Sequence, residues 1–308
     1  MSPIVSILIP AYNPRYLPAA LDSALAQPYP DAEIVVVDDS CTGDIAAIAA
    51  SRANPRLKYV RNDRNLGFSK NFTRCAELAT GDFLKFLNDD DVLHPDCVAR
   101  LMEAFAWGGE RVALAVVRRQ VIDGNGQAMP DLPATKPIAA VDATMRGRQI
   151  GNLLMAATMN LLGEPSAALF RRRDLQIEDG DIFRFAGHDY HCLADLSLWL
   201  RLLAGGDLAY VAQPLCAYRV HPEQEQRKPE VGQKCLSERV TIIGDARRLG
   251  FLAEVGQLEQ TLATTGKRLA EIAAAGMLPA ADHARLQAEL ANIRETWLPS
   301  GSAGGRNP

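Results

Sequence analysis

Over the first hundred residues, short runs of apolar residues alternate with stretches in which apolar residues recur at helical spacing. The apolar runs predict four short buried strands, at Val5–Ile9, Glu33–Val37, Leu57–Val60 and Phe83–Leu87. The stretches of helical spacing predict helices at Leu17–Ala26, Ile45–Ala50, Phe72–Leu78 and Val98–Ala106. This alternation is typical of an α/β fold with a mostly parallel sheet and helices on both of its faces.

Polar residues follow three of these strands at the point where each strand ends. They are Tyr12-Asn13, Asp38-Asp39 and the triplet Asp89-Asp90-Asp91. The carboxyl ends of parallel strands meet at one edge of a sheet, where ligands bind in such folds, so we expect the three ends to form one crevice. The chain lacks the glycine-rich dinucleotide-binding motif and the P-loop motif, which argues against those two kinds of nucleotide site.

The aspartate triplet places three like charges next to one another at the end of a strand. Such charges repel unless something neutralises them, and a divalent cation such as Mg²⁺ or Mn²⁺ does so with oxygen ligands, water and substrate phosphates. The alternative is a solvated turn whose aspartates cap the next helix. The position of the triplet, opposite Asp38 and Asp39, favours the metal site.

Six segments, in order along the chain, resemble those of family 2 glycosyltransferases, which transfer a sugar from a nucleotide diphosphate sugar with inversion. The segments are VSILIPAYN, EIVVVDDSCTGD, NLGFSKNFTRCAELATGDFLKFLNDDDVLHPD, GEPSAALFRR, LADLSLWLRLL and PLCAYRVH. They lie within about the first 225 residues. The resemblance implies the GT-A fold, a Rossmann-like sheet, and leaves the sugar undefined.

The resemblance implies a set of residues that bind the nucleotide sugar. These are Pro10, Ala11, Tyr12, Asn13, Asp39, Asn65, Gly67, Lys70, Asn88 and Asp89. Asp39 matches the carboxylate that accepts the imide N–H of uracil, which thymine also offers, so UDP and dTDP are not separated. Asp38 is expected to brace the loop, and a helix N-cap before Ile45 is the alternative for both aspartates. Lys70 and Arg64 are either contacts to base or phosphate, or ordinary surface charges.

The same resemblance places a Mn²⁺ or Mg²⁺ site at Asn88-Asp89-Asp90-Asp91, which matches the DxD region of the family. Asp90 is the main expected ligand, Asp89 contacts the ribose, and Asp91 replaces or assists either one. His221 is a further candidate contact to the metal or the diphosphate, although a lone histidine is more often structural. The metal would stabilise the leaving nucleoside diphosphate.

Asp195 matches the catalytic base of the family and stands before a helix predicted at Leu198–Leu203. An inverting transfer needs one carboxylate that deprotonates the acceptor hydroxyl. Asp195 also suits an N-cap of that helix. Three neighbours are alternative bases, although a surface role is expected for each: His188, Asp189 and His191. Trp199 is expected in the core, and Arg201 beside the acidic site.

The rest of the chain divides into parts of different character. The GT-A domain is predicted at 1–228, with a nucleotide half (1–107) and an acceptor half (108–228) in which 108–159 sets acceptor specificity. Residues 229–299 are predicted as two or three helices and 300–308 as a disordered tail. Two apolar stripes run along the helices, Val255 to Ile272 and Leu286 to Trp297, with a break at Gly276 to Pro279. They either pack on the catalytic domain or form the interface of a homodimer.

Composition narrows the class of protein. The chain has 308 residues and a formal net charge of −4, which argues against nucleic-acid binding driven by bulk charge. It shows no signal peptide and no apolar stretch long enough for a membrane span, so we expect a cytoplasmic protein, peripheral at the inner membrane only through its substrate. The six cysteines form no CxxC pair, so we expect reduced thiols and no zinc site.

These features predict a metal-dependent inverting glycosyltransferase. It would move a sugar from a UDP- or dTDP-sugar to a hydroxyl of a saccharide or lipid-linked saccharide, as in polysaccharide or glycoconjugate synthesis. One alternative is a sugar-1-phosphate nucleotidyltransferase, whose glycine-rich N-terminal signature this chain lacks. The other is a non-catalytic nucleotide-binding or scaffolding protein, which would require a broken base or metal site.

Overall fold

A computed structural model describes residues 3–157, 159–224 and 229–298, and forms the predicted sheet with flanking helices. The strands are β1 (Val5–Ala11), β2 (Ala32–Asp38), β3 (Leu57–Arg61), β4 (Phe83–Phe86), β5 (Val92–Leu93), β6 (Val112–Ile122), β7 (Ala128–Met129), β8 (Ala143–Met145), β9 (Ala168–Arg171) and β10 (Asp207–Arg219). The helices are α1 (Leu17–Leu25), α2 (Asp44–Ala50), α3 (Phe68–Leu78), α4 (Cys97–Gly108), α5 (Gly147–Ala156), α6 (Ala194–Gly205), α7 (Pro229–Arg248), α8 (Val255–Ala274) and α9 (Ala280–Trp297).

The strands form one sheet in the order β3-β2-β1-β4-β9-β6-β10-β5, with β7 paired to β6 and β8 to β10. The four strands β3, β2, β1 and β4 run parallel, as do β6 and β10, whereas β9 runs antiparallel between β4 and β6. Pairing of Ala11 with Asp38 brings the carboxyl ends of β1 and β2 side by side. The mostly parallel α/β sheet predicted from the sequence is therefore confirmed.

Alternate residues of each central strand face two separate cores. In β1, Val5, Ile7 and Ile9 point into a core with α1, α2 and α4, whereas Leu8 points into a second core with α3, α5 and α6. This alternation follows from the two-residue period of a strand. Trp199 of α6 lies fully buried in the second core, as expected. Helices thus cover both faces of the sheet and leave its carboxyl-end edge available for loops.

The C-terminal region forms three helices, α7 to α9, that pack on the second core beside α5. The predicted stripes account for this packing because Leu258, Leu262 and Leu286 are all buried, although Val255 is 60% exposed. The break between the stripes separates α8 from α9. The stripe side chains are buried within the chain, which favours packing over the dimerisation predicted as the alternative. The predicted boundary at 228 and the tail 300–308 lie outside the described residues.

The expectation of six reduced thiols is wrong for one pair. Cys192 and Cys235 form a disulfide between the segment before α6 and helix α7, with their Cα atoms 5.2 Å apart. The two cysteines are 43 residues apart in the chain, so only the return of α7 onto the domain brings them together. Cys75, Cys97 and Cys216 are buried free thiols. Among the described residues, we find no helix long and apolar enough to cross a membrane.

Close packing of α5 against the helical region yields a stability prediction. A Cβ at Gly151 would overlap the ring of Phe251, which is fully buried, so Gly151→Ala should lower the free energy of unfolding by about 1–3 kcal/mol. The control is Gly256→Ala in α8, where a Cβ meets no atom within 4 Å and the change should stay within about 0.5 kcal/mol. Urea unfolding measures both. Equal stability of the two variants would contradict this packing of the helical region.

Candidate active site

The three polar strand ends meet, as expected, at the carboxyl edge of the sheet. The Asp89 carboxylate accepts the backbone N–H groups of Tyr12 at 2.7 Å and Asn13 at 2.8 Å, which ties the end of β4 to the loop after β1. The N–H of Asp39 donates to the carbonyl of Ala11 at 2.9 Å, which ties in the end of β2. Pro10 and Ala11 are buried within β1, whereas Tyr12 is 63% exposed beside the crevice.

Asp38 is a bracing residue, as predicted. Its buried carboxylate accepts the N–H of Ser40 at 2.9 Å and the hydroxyls of Ser40 and Tyr59, each at 2.6 Å. Removal from water and the bond to Asp38 raise the pKa of Tyr59 to about 12, so the phenol stays a donor. Since α2 begins only at Asp44, neither Asp38 nor Asp39 caps it.

Asp39 anchors the loop that the family resemblance assigned to the nucleotide. Its carboxylate accepts the N–H groups of Leu66 at 2.7 Å and Gly67 at 2.9 Å, and the side chain of Asn62 at 2.9 Å. The side chain of Asn65 donates to the Asp39 carbonyl at 2.8 Å. Gly67 has a φ of +83°, a conformation that favours glycine. The predicted residues thus come together, and the bonds of Asp39 to this loop were not anticipated.

Lys70 and Arg64 are exposed at the outer rim of this loop and its following helix.

The acidic turn after β4 divides into residues that hold it and one that faces the crevice. Asp91 is buried, and its two oxygens accept the N–H of Arg219 at 3.0 Å and the side-chain amide of Asn88 at 3.1 Å. The N–H of Asn88 donates to Ser166 at 2.9 Å. Burial raises the pKa of Asp91 well above its usual range. Because protein donors occupy both of its oxygens, Asp91 fits a structural role better than the metal-ligand role predicted for it.

Asp90 is the member of the triplet that faces His221. An oxygen of its carboxylate lies 3.0 Å from Nε2 of His221, whose ring is 4.7 Å from that of Tyr16. Removal from water and the neighbouring Asp89 raise the pKa of Asp90 to about 7. Burial lowers the pKa of His221, which favours the neutral imidazole, and its Nδ1 has no hydrogen-bond partner among the described residues.

A divalent cation fits this donor set in part. Within residues 3–157, 159–224 and 229–298, no three His, Cys, Asp or Glu side chains converge closely enough to hold a metal by themselves. Mg²⁺ needs only one or two protein carboxylates when substrate phosphates and water complete its shell. The Asp90 carboxylate would be such a ligand, with the His221 imidazole as a second donor, and the remaining ligands would come with the substrate.

Arg219, which the sequence analysis did not single out, fastens the acidic turn. Its buried side chain donates to the carbonyls of Asp90 at 2.7 Å and Asp123 at 3.0 Å, and its guanidinium lies 4.7 Å from the ring centre of Tyr16. It therefore joins the turn after β4 to the turn between β6 and β7. The signal for this role in the sequence is the position of an arginine at the otherwise apolar end of β10.

Asp195 lies in the first turn of α6, because this helix begins at Ala194, earlier than predicted. Its side chain therefore does not act as an N-cap. One carboxylate oxygen accepts the side-chain amide of Asn160 at 2.7 Å, and the other accepts the N–H of Leu196 at 2.7 Å. Removal from water, and then the charge of Glu164, raise the pKa of Asp195 to about 7.

Glu164 links the surroundings of Asp195 to those of the acidic turn. Its carboxylate accepts two bonds from one nitrogen of the buried Arg119, at 2.9 and 3.0 Å. Its negative charge raises the pKa of both Asp195 and Asp90. Arg119 also donates to the carbonyls of Ala134 and Asn160, so it holds the loops of the acceptor half around Glu164. Sequence reasoning missed this ion pair because the partners are 45 residues apart.

The alternative bases are engaged elsewhere. Nδ1 of His188 lies 2.8 Å from the carboxylate of Asp245, and Asp189 has a 74% exposed side chain that pairs with Arg184. The ring of His191 packs edge-on against Phe68 at 5.4 Å. These contacts leave Asp195 as the recessed group among the four candidate bases.

The expectation that Arg201 pairs with the acidic site is wrong. Its guanidinium donates to the backbone carbonyls of Gln176 and Ile182, and burial lowers its pKa to about 10. Trp199, by contrast, lies in the core as predicted and donates to the carbonyl of Gly163 at 3.0 Å. It thereby supports the loop that carries Glu164.

The sequence and the fold resemble those of known proteins. A family model described as glycosyl transferase family 2 matches residues 6–176. An uncharacterized protein of Mycobacterium tuberculosis is 33% identical over 70% of this chain and 67% of its own length. Chondroitin synthase of Escherichia coli is 35% identical over 33% of this chain, and a succinoglycan biosynthesis protein of Rhizobium meliloti is 30% identical over 41%. The chain spans only 15% and 37% of those two proteins.

Among solved structures, TarS of S. aureus (residues 1–349) in complex with UDP-GlcNAc has a TM-score of 0.57 at 14% identity, over 96% of this chain and 90% of that one. This similarity supports the GT-A fold. The family model covers more than half of the chain, and the fold agrees with it. The chain therefore belongs to glycosyl transferase family 2, and it is a glycosyltransferase.

Proposed function

We propose that the protein transfers a sugar from a UDP- or dTDP-sugar to a hydroxyl acceptor with inversion, and that Asp195 is the general base. The observation that carries this proposal is the recessed carboxylate of Asp195, whose pKa is raised to about 7. A base with a pKa near the working pH is both deprotonated enough to act and basic enough to take a proton. Two relatives are named as a chondroitin synthase and a succinoglycan biosynthesis protein, which supports a role in polysaccharide synthesis.

On the donor side, the ends of β1, β2 and β4 supply the proposed nucleotide contacts. The exposed ring of Tyr12 would contact the face of the nucleotide base, and the loop anchored by Asp39 would border the edge of the base. Asp39 would turn a remaining lone pair to the imide N–H. The complex of a structural neighbour with UDP-GlcNAc supports a nucleotide sugar as the donor.

On the acceptor side, Asp195 would take the proton of the attacking hydroxyl as that oxygen bonds to the anomeric carbon. The bond to the nucleoside diphosphate breaks on the opposite face, so the configuration inverts. Asn160 and the N–H of Leu196 hold the two carboxylate oxygens and leave lone pairs for the acceptor hydroxyl. Glu164 keeps the Asp195 carboxylate basic through its like charge.

We further propose that Asp90 and His221 hold Mn²⁺ or Mg²⁺. Such a cation neutralises charge on a diphosphate leaving group when it is bound. Asp89 would instead fix the first nucleotide loop through its bonds to Tyr12 and Asn13. Family membership favours a glycosyltransferase over the nucleotidyltransferase, and the recessed carboxylate of Asp195 favours it over a scaffolding protein.

Asp195→Asn should lower kcat by about 10²- to 10⁴-fold, because the amide cannot accept the acceptor proton. Its affinity for UDP should stay unchanged, because the nucleotide residues lie on other elements. Asp189→Asn is the matched control, since that exposed aspartate lies in the segment before α6 and should leave both values unchanged. Release of nucleoside diphosphate from a panel of UDP- and dTDP-sugars measures kcat. Wild-type turnover by Asp195→Asn would refute its role as the base.

Mn²⁺ should strengthen UDP binding to the wild-type protein, and Asp90→Asn should abolish that gain while metal-free binding persists. The reason is that the cation joins the diphosphate to the Asp90 carboxylate. Calorimetry with UDP, with Mn²⁺ or with EDTA, measures the difference. Asp96→Asn, a change of an exposed aspartate after the turn, is the control. A wild-type affinity for UDP that is identical with and without Mn²⁺ would rule out this metal site.

A further inference from the structure

Helix α7 presents one face to the segment that precedes Asp195. Cys235, Glu238 and Asp245 follow one another at spacings of three and seven residues, which places them on one side of a helix. Each contacts the segment 188–193 directly. This face of α7, defined by these three residues, is called the clasp below.

Glu238 is the central member of the clasp. Its buried carboxylate accepts the backbone N–H groups of His191 at 3.0 Å and Leu193 at 2.8 Å, one on each oxygen. Leu193 is the residue before the first turn of α6, and Asp195 follows two positions later. N–H groups at the start of a helix lack helical partners, so a carboxylate that accepts them fixes where the helix begins.

The two other members of the clasp hold the same segment on either side of Glu238. Asp245, fully buried, accepts the hydroxyl of Tyr190 at 2.6 Å and lies 2.8 Å from Nδ1 of His188. Burial, and then the charge of Asp245, raise the pKa of Tyr190 well above its usual range, so Tyr190 remains a donor. Cys235 is bonded covalently to Cys192. The segment is therefore held at five of its six residues, 188 and 190 to 193.

Arg239, next to Glu238 on α7, supports Asp195 from the other side. Its guanidinium donates to the carbonyls of Met155 and Ala157 at the end of α5. The chain then leads within a few residues to Asn160, whose amide holds a carboxylate oxygen of Asp195 at 2.7 Å. Both the helix start that carries Asp195 and the residue that orients its carboxylate thus depend on α7.

We propose that Glu238 is a positioning residue for Asp195, and that the helical region is part of the active site rather than an appendage. This inference rests on the proposed role of Asp195 as the base. Glu238 touches no reacting atom, and it acts by holding the start of α6. Within the part of the chain that the structure describes, Glu238 bonds to His191 and Leu193 and not to the nucleotide loops after β1, β2 and β4. Its loss should therefore affect the chemical step and leave nucleotide binding intact.

Loss of the Glu238 carboxylate should change the surroundings of Asp195 at the start of α6. Two N–H groups would lose their acceptor and recruit water at the start of α6. Water near Asp195 would reduce the desolvation that raises its pKa, while Glu164 and Arg119, the charged groups that face it, stay in place. The pKa of Asp195 should then fall towards its ordinary value, and a base displaced by about 1 Å can cost about 10²-fold in rate.

The experiment compares Glu238→Gln with wild type in the full chain. Glutamine keeps the size of the side chain, but its amide NH2 replaces one of the two acceptor oxygens, so one backbone N–H then faces a donor instead of an acceptor. Carboxyl-labelled aspartate followed by NMR gives the titration midpoint of Asp195, assigned by its loss in Asp195→Asn. The control is Glu259→Gln, because Glu259 pairs with Arg294 on the surface between α8 and α9.

For Glu238→Gln we expect the Asp195 midpoint to fall by about one pH unit or more and kcat to fall about tenfold or more. Its UDP affinity should match that of wild type, and Glu259→Gln should match wild type throughout. A wild-type midpoint and wild-type kcat in folded Glu238→Gln would overturn the proposal. If Glu238→Gln does not fold, Glu238→Asp decides, because its shorter carboxylate reaches the two N–H groups less well. An unchanged midpoint in Glu238→Asp would then overturn it.

Failure of the proposed function would look different. If Asp195→Asn kept full turnover, the assignment of the base would fall, although the midpoint of Asp195 would still respond to Glu238. If Asp195→Asn lost turnover while both Glu238 variants behaved as wild type, the base would stand and only the positioning role would fall.

Discussion

Carboxylates that are crowded at one edge of a parallel sheet must find donors, and the crevice depends on how this protein supplies them. Each of Asp38, Asp39, Asp89 and Asp91 accepts at least one backbone N–H, from its own turn, from a neighbouring loop or from the end of β10. Such bonds stabilise ionised carboxylates and at the same time fix the loops that donate them. The acidic residues therefore build the crevice as well as line it.

Asp90 and Asp195 are placed differently from these four carboxylates. Within the described residues, neither accepts a backbone N–H from another loop. Both have raised pKa values of about 7, and both feel the charge of Glu164. One faces His221 and the other faces the acceptor half. The carboxylates that fasten the loops are therefore distinct from the two that are proposed to act in the site.

The two sides of the crevice are supported by different parts of the chain. The nucleotide side is built from short motifs, each contiguous in sequence, that directly follow β1, β2 and β4. The acceptor side is assembled from distant pieces: Arg119 in β6, Asn160 after α5, and Glu238 in α7. This division explains why the proposed nucleotide residues could be assigned from motifs and why the supports of Asp195 could not.

Much of the fold was predictable because it follows from local periodicity. The four strands and the stripes of α8 and α9 appear where the apolar pattern places them. The disulfide of Cys192 with Cys235, the anchoring of loop 62–67 by Asp39, and the true position of Arg201 depend on contacts between segments far apart in sequence. A spacing rule carries no information about such contacts, so these features required the structure.

The pH dependence of single-turnover sugar transfer tests the central claim most directly. A carboxyl whose pKa is raised to about 7 is protonated, and inactive as a base, below that pH. The rate of sugar transfer should fall as pH drops through about 7. Glu164→Gln should move this fall to lower pH, because removal of a like charge favours ionised Asp195. A rate that stays flat down to pH values near the ordinary aspartate pKa, or a limb that Glu164→Gln does not move, would contradict it.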